Sequence, residues 1–471
     1  MLQCEIYPAS DPRHSAPMTR SVEMPLWALV LLVAFAAVTF ASHFLFPSVR
    51  WFFRKRMQRL VGQLNTRLSR PIEPFKLARR YDMIERLIYD PDVSKAVSDY
   101  AKKEKIPEAV AFEKARGYAR EIVPAFSAWT YFRFGSRVAE LLGRSFYRVR
   151  VLNKDLKRIE EIDKDATVVL VANHRSNMDY VLLTFLASRN GALSYAVGEW
   201  ARGWPLGPLV RAMGAYFIRR RDGNDLYREV LANYVHQATQ AGVSQAVFPE
   251  GRLSLDAKLG APKLGILKYI FDAHQEGGRE VVFVPVALNY DRLLEDQVLI
   301  AAQTKGKGKF RVKLRRAIWG SLKIWWLGRQ ERRKRYGSAA VRFGEPVSLS
   351  SFDGDVQALA EGLMGQIARD MPVLPVPLIA HVLLQAEGPL SQEVLELRLE
   401  KAMQKLPERN IYLPRRRSSL AVQQSIALLT GRGVLKEGPE GIAIVQERLD
   451  VLEFYASSIA HFFCDRSKGA V

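Results

Sequence analysis

Cysteine is almost missing from this chain. Cys4 and Cys464 stand at opposite ends of 471 residues, which excludes a disulfide framework and any cysteine-based metal spacing. Such usage is consistent with a reducing compartment. Histidine is scarce too, with seven in all, so few positions can supply an imidazole base. Acids are outnumbered, 49 against 70 lysines and arginines, giving a net charge of +21 and a pI of about 9.9. That imbalance attracts polyanions, meaning nucleic acid, an anionic membrane surface or phosphorylated substrates. No low-complexity tract is present, and 48% hydrophobic with 25% charged residues is a globular composition with room for two or three cores.

Long apolar runs are confined to one place. Leu26 to Phe46 has only Thr39, Ser42 and His43 as polar residues. A helix of that length rises about 31 Å, close to a hydrocarbon core of roughly 30 Å. The basic cluster Arg50, Arg54, Lys55, Arg56 and Arg59 follows the run, and the run is too long for a signal peptide. The stretch therefore reads as a membrane anchor with the N-terminus outside and the basic flank in the cytoplasm. An anchor lying in one leaflet is the alternative to a full span. Trp27, Trp51, Phe52 and Phe53 fall near the two interfaces.

Four regions follow from the periodicity. Residues 1–60 hold the anchor helix at about 26–46. Residues 61–150 are helical: Ile84, Leu87 and Ile88 repeat at helical spacing, and 109–143 continues that pattern with a break near Pro124. Residues 151–350 alternate short apolar runs with helix-like stretches, which predicts an α/β domain with a largely parallel sheet. Its expected strands are 167–172, 194–197, 215–218, 244–248 and 281–288, and its helices are 177–188, 206–213, 225–241 and 263–276. Residues 351–471 are helical again, with a turn at 437–441 between two short strands. Within the third region, 305–335 sets thirteen cations and three tryptophans against one acid, Glu331. Aromatics among cations also suit single-stranded nucleic acid. Downstream of an apolar anchor, a face resting on anionic lipid is the better reading, and no nucleic-acid partner is expected.

Ligands of such sheets gather at the carboxyl ends of the strands, and four motifs lie there. The first is Asn173-His174-Arg175-Ser176-Asn177-Met178-Asp179-Tyr180. Asp179 can cap the coming helix with Ser176, or it can orient His174 as a general base. No serine or cysteine nearby stands out as a nucleophile, so the base would act on a hydroxyl of the substrate. The second motif, Gly214 to Arg221, ends a strand in Arg219, Arg220 and Arg221, the residue type for bidentate phosphate binding. The third is Phe248-Pro249-Glu250-Gly251-Arg252-Leu253-Ser254, a turn that aims Arg252 at an anion. The fourth, Val284-Pro285-Val286-Ala287-Leu288-Asn289-Tyr290, reads mostly as core packing.

In order and spacing these four motifs resemble the blocks of the glycerolipid acyltransferases with the His-x4-Asp signature. Gly207-Pro208-Leu209, Gly223-Asn224 and Leu226-Tyr227 narrow the likeness to the membrane-bound glycerol-3-phosphate acyltransferases, as does the stretch 115–149. The resemblance runs from about Tyr81 through Glu345-Pro346 and more weakly into the C-terminal helices. The third block departs from the family's Glu-Gly-Gly-Arg-Ser, because one glycine is absent and Leu253 separates Arg252 from Ser254. Its Phe-Pro-Glu-Gly opening is similar to the lysophosphatidic acid enzymes.

The resemblance implies an acyltransferase domain over 151–350 that moves a fatty acyl group from a thioester to the sn-1 hydroxyl of glycerol 3-phosphate. Lysophosphatidic acid and dihydroxyacetone phosphate are the alternative acceptors. His174 is then the base and Asp179 its orienter. Arg219, Arg220, Glu250, Gly251, Arg252 and Ser254 form the acceptor site, and Arg175 and Pro285 are further members. Backbone N–H groups at the helix starting near Asn177 are the expected oxyanion donors. Acyl-CoA or acyl carrier protein is the co-substrate, with no metal and no other cofactor. The implied location is the inner cell membrane, with the catalytic domain on the cytoplasmic side.

Overall fold

A computed structural model describes residues 25–36, 55–56, 59, 61–188, 190–203, 206–219, 223–305, 336–413 and 418–464. The chain divides into two compact units, 1–62 and 63–471. In the first, residues 26–36 are helical, with Leu26, Trp27, Val30, Leu31 and Phe35 exposed. The rest of the expected anchor, 37–46, lies outside the described residues, as do Arg50, Arg54 and the basic segment 306–335. Among the described residues no helix is long and apolar enough to cross a membrane.

The second unit is built on one sheet. Its strands are β1 (Arg148–Val151), β2 (Thr167–Ala172), β3 (Ser194–Gly198), β4 (Tyr216–Ile218), β5 (Gln245–Val247), β6 (Val281–Tyr290), β7 (Ser338–Phe343) and β8 (Val347–Ser348). They are ordered β1-β7-β6-β2-β5-β3-β4, with β8 added beside β6. All pairs on that path are parallel except β6 with β7, and β8 is also antiparallel to β6. β2 is buried along its whole length because it pairs on both edges, and Val, Leu and Ala fill a strand covered on both faces. Leu170 lies opposite Val284 and Ala172 opposite Val286. β6 therefore runs four residues beyond the end of β2.

Helices from every region pack on this sheet. N-terminal to it come α1 (Arg80–Ile88), α2 (Pro91–Glu104), α3 (Glu108–Ile122) and α4 (Ser136–Phe146). Between strands lie α5 (Met178–Ala187), α6 (Asp225–Gln240), α7 (Gly265–Gln275) and α8 (Asp296–Lys305). After β8 come α9 (Val356–Arg369), α10 (Pro375–Leu384), α11 (Gln392–Gln404), α12 (Ser418–Thr430) and α13 (Leu449–Ser457), with the hairpin β9 (Leu435–Gly438) and β10 (Gly441–Ile444) between the last two. One core holds Leu87 and Ile88 of α1, Ala115 and Ala119 of α3, Val169 and Val171 of β2, Phe283 of β6 and Leu363 of α9. The N-terminal helices, the α/β region and the start of the C-terminal helices thus share their apolar interior. Ala111, Ala115 and Ala119 recur at i+4 on α3, so small side chains let that helix come close.

The five expected strands all form, with ends within two residues of those expected, and so do the helices between them. β1, β7 and β8 were not among the expected strands. Arg-Val-Arg-Val in β1 is short and alternates charge with valine, and its partner β7 is almost two hundred residues away. Local pattern carries no information about so distant a pairing. Phe283 is fully buried in β6, opposite Val169 of β2 on one edge and Val347 of β8 on the other. Phe283→Ala should cost about 3–5 kcal/mol, measured by chemical denaturation. An unchanged midpoint would show that β6 is not part of the core.

Candidate active site

The residues after β2, β5 and β6 meet at one edge of the sheet, because these strands run parallel. Asp179 sits in the first turn of α5 and is fully buried. Its Oδ2 accepts from His174 Nδ1 at 2.9 Å, from the Arg175 backbone N–H at 2.7 Å and from the Ser176 backbone N–H at 2.9 Å. Its Oδ1 accepts from the hydroxyl of Tyr290, the last residue of β6. Burial, then the Asp179 charge, holds that phenol well above its ordinary range, so it stays a donor. Ser176 Oγ in turn accepts from the Met178 N–H at 3.1 Å. One carboxylate oxygen therefore holds both the loop that leads into α5 and the His174 ring.

Because Nδ1 faces a carboxylate acceptor, it is the donor of this bond. No protein partner of Nε2 is found among the described residues. The ring lies 4.3 Å from the Phe248 ring and 5.2 Å from that of Tyr180, centroid to centroid.

The third motif closes on the first. Gly251 N–H donates to the Phe248 carbonyl at 2.9 Å, completing a turn through Pro249 and Glu250. Glu250 Oε1 accepts the His174 backbone N–H at 2.9 Å, and Oε2 accepts that of Gly260 at 3.1 Å. Burial raises the pKa of Glu250, opposed by these two N–H bonds and by the Arg175 charge. The Ser254 N–H returns to the His174 carbonyl at 2.9 Å, so both backbone groups of His174 are held by this motif. Gly251 has a φ of +69°, and a Cβ there would stand 3.0 Å from the Lys263 side chain. The Arg252 side chain is exposed, with no ion pair among the described residues.

Other expected members stand elsewhere. Arg219 follows β4, three strands from β2, roughly 14 Å at ordinary strand spacing. Its Nε and Nη2 bind Glu121 of α3 at 2.9 and 2.8 Å, and it lies over the Tyr118 and Tyr227 rings. Glu121 accordingly raises its pKa. Arg220 and Arg221 lie outside the described residues. Arg175 is buried and turns away from the dyad, with Nη2 3.4 Å from the Ser458 carbonyl and 3.8 Å from Met371 Sδ. Burial lowers its pKa to about 10. Ser254 Oγ is spent within its own turn, on Asp256 at 3.1 Å and the Lys258 carbonyl at 2.8 Å. Pro285 is inside β6 opposite Val171, and its carbonyl takes the Gly344 N–H at 2.8 Å.

The expected oxyanion donors at the start of α5 are already occupied. Asp179 takes the N–H groups of Arg175 and Ser176, Ser176 Oγ takes that of Met178, and Glu295 takes that of Asn177 at 3.0 Å. Glu295 also accepts from Ser176 Oγ at 2.7 Å, and burial raises its pKa. Tyr290, Glu295 and Lys263 are the members that sequence reasoning passed over. Tyr290 carried a usable signal, since it ends a strand as the other motifs do. Glu295 and Lys263 carried none. Among the described residues no group of three or more His, Cys, Asp or Glu could hold a metal ion.

An imidazole whose Nε2 meets no protein group among the described residues, a carboxylate on its Nδ1 and exposed cations lie together at the carboxyl edge of a parallel sheet, an arrangement able to take a proton beside an anion. Family comparison gives the class. The acyltransferase model matches residues 153–289, which contain the dyad and the Glu250–Ser254 turn, and the model of the glycerol-3-phosphate acyltransferase C-terminal region matches 322–471. The chain therefore carries an acyltransferase domain joined to that C-terminal region, and it is homologous to the glycerol-3-phosphate acyltransferases. A curated glycerol-3-phosphate acyltransferase of Pseudomonas entomophila is 32% identical over 280 residues, 59% of this chain and 32% of that protein. One of Haemophilus ducreyi is 28% identical over 423 residues, 82% of this chain and 50% of that protein. The chain spans a third to a half of the length of these relatives. A solved 1-acyl-sn-glycerophosphate (LPA) acyltransferase of Thermotoga maritima aligns with 50% of this chain and 77% of its own, at 20% identity and a TM-score of 0.31.

Tyr290→Phe should leave the fold intact and lower turnover by roughly tenfold or more, because a hydrogen bond to a buried charge is lost. Full activity in the purified variant would remove Tyr290 from the site. A pH series tests Glu250. Its folded pKa is raised, so wild-type stability from this group is present below the ordinary glutamate value of about 4.5 and declines as pH rises through the folded value. The thermal midpoint of wild type relative to Glu250→Gln should therefore fall as pH rises above about 4.5. A widening advantage over that range would contradict the burial of Glu250.

Proposed function

We propose that this protein transfers a fatty acyl group from an acyl thioester to the sn-1 hydroxyl of glycerol 3-phosphate, giving lysophosphatidic acid. The observation that carries the reading is the His174–Asp179 dyad, with Nε2 left open, inside the segment matched by the acyltransferase family. The match of 322–471 to the glycerol-3-phosphate acyltransferase C-terminal region, and the names of the two curated relatives, favour this acceptor over lysophosphatidic acid.

His174 Nε2 takes the proton of the acceptor hydroxyl as its oxygen attacks the thioester carbonyl. The C–S bond then breaks, and the imidazolium returns the proton to the departing thiolate. Asp179 stabilises the transient imidazolium through Nδ1–H, and Tyr290 holds Asp179 in place. Glu250 acts at one remove by fixing the backbone of His174. Arg252 and Lys263, beside the Glu250–Gly251 turn, supply positive charge for the acceptor phosphate and the developing oxyanion. Arg219 and Arg220 belong to the acceptor site, and Arg219 serves there only when Glu121 releases it. The donor is acyl-CoA or acyl carrier protein. The apolar 26–46 stretch and the net charge of +21 support attachment to an anionic inner membrane, with this unit on the cytoplasmic side.

The test is an assay of the purified chain in mixed micelles, pairing each donor with glycerol 3-phosphate, lysophosphatidic acid and dihydroxyacetone phosphate. Acylation of glycerol 3-phosphate is expected to exceed the others, and a preference for lysophosphatidic acid would replace the acceptor in this reading. His174→Ala should lose at least ~10²-fold in kcat with membrane binding retained. Arg252→Ala should raise KM for the acceptor by roughly tenfold or more, and Arg219→Ala should raise it less. The reverse order would place the phosphate at β4.

A further inference from the structure

A second basic site lies on the far side of the loop that supports the dyad. A cavity of about 750 Å³ opens between the β1–β7 edge of the sheet and the C-terminal helices. Its wall carries Arg148, Arg150, Arg292, Arg432 and Arg448, and Asp291 is the only acid among its lining residues. Both Asp291 oxygens are engaged by backbone N–H groups, those of Ser338 at 2.7 Å and Val376 at 3.1 Å. Burial raises the pKa of Asp291, which weakens its power to offset the arginines.

Arg148 and Arg150 donate to Gln424 at 2.7 Å and Ser338 at 3.3 Å, whereas Arg432 and Arg448 keep buried donors without partners among the described residues. Arg432 has a side chain only 6% exposed, and Nη2 bonds Asp296 at 2.6 Å, while its Nε and Nη1 have no hydrogen-bond partner among the described residues. Arg448 Nε is likewise buried without one. A guanidinium held in the wall with two donors unpaired costs stability unless an acceptor meets them. Five guanidinium groups around a concave space of nucleotide size match an anion that offers many oxygens, and bidentate forks match phosphate.

The place in the fold is also telling. β6 passes from Tyr290, which bonds Asp179, directly into Asp291 of the cavity wall. Four residues after Asp291, Glu295 bonds Ser176 and Asn177 while its neighbour Asp296 bonds Arg432 and Tyr455. One short loop thus has the dyad on one side and the arginine cavity on the other.

We propose that this cavity is a binding site for a phosphate ester, distinct from the acceptor site beside His174. It stands on the cavity itself and does not require acyl transfer to be the reaction. Two sources share this chemistry, the nucleotide end of a coenzyme A thioester and a glycerol phosphate. Equilibrium dialysis of the full-length chain in micelles separates them, with radiolabelled adenosine 3′,5′-bisphosphate in one arm and glycerol 3-phosphate in the other. Both arms use Arg252→Ala protein, so that the acceptor site is weakened. Saturable, salt-sensitive binding of at least one ligand is expected. Adding Arg148→Gln and Arg448→Gln, both away from the dyad, should weaken it roughly tenfold or more, with the thermal midpoint of the ligand-free protein unchanged. Adding His174→Ala instead should leave it unaltered. Absence of saturable binding in both arms, or binding insensitive to the two arginine changes, would overturn the site. Loss of acylation in His174→Ala with binding kept separates this question from that of the reaction.

Discussion

The Asp179 carboxylate is the interaction on which the rest of the site depends. It gathers four donors: the His174 ring, two backbone amides of the loop after β2, and the Tyr290 hydroxyl at the end of β6. A fully buried carboxylate is costly to desolvate unless its oxygens are hydrogen-bonded, and these four bonds satisfy them. The same bonds tie the end of β2, the start of α5 and the end of β6 into one junction. The dyad is rigid because it is part of the sheet's own construction.

Around that junction the protein spends its buried polar groups on support. Glu250 and Glu295 each bind backbone amides of the first motif, from opposite sides. Asn173 exchanges both side-chain bonds with the Leu288 backbone, at 3.0 and 2.8 Å, pinning the loop to β6. Buried polar networks of this kind are useful only when fully paired. The amides of Arg175, Ser176, Asn177 and Met178 are consumed in this pairing. The helix N-terminus serves architecture here.

Much of this was legible along the chain. Apolar runs of four to eight residues gave the parallel strands, and the rule that sites form at strand carboxyl ends led to His174, Asp179 and the Glu250–Arg252 turn. From the sequence Asp179 offered either a bond to the loop before α5 or a bond to the His174 ring, and in the structure one oxygen makes both. Side-chain direction was not legible in the same way. Arg175 and Ser254 lie within the right motifs, yet their side chains serve the C-terminal helices and a local turn. Motif membership constrains where a backbone runs and leaves side-chain direction open.

The sequence by itself determined the alternation of strands and helices, the basic excess and the residue types able to take a proton or hold a phosphate. These are local or compositional properties, readable from spacing and count. Tertiary structure alone decided which partners meet. The pairing of β1 with β7, the closure of Arg219 by Glu121, the bond from Tyr290 to Asp179 and the gathering of five arginines on one cavity wall all join positions far apart in the chain. Such contacts follow from how whole elements pack, and packing depends on the shape of the entire core, which no short stretch encodes.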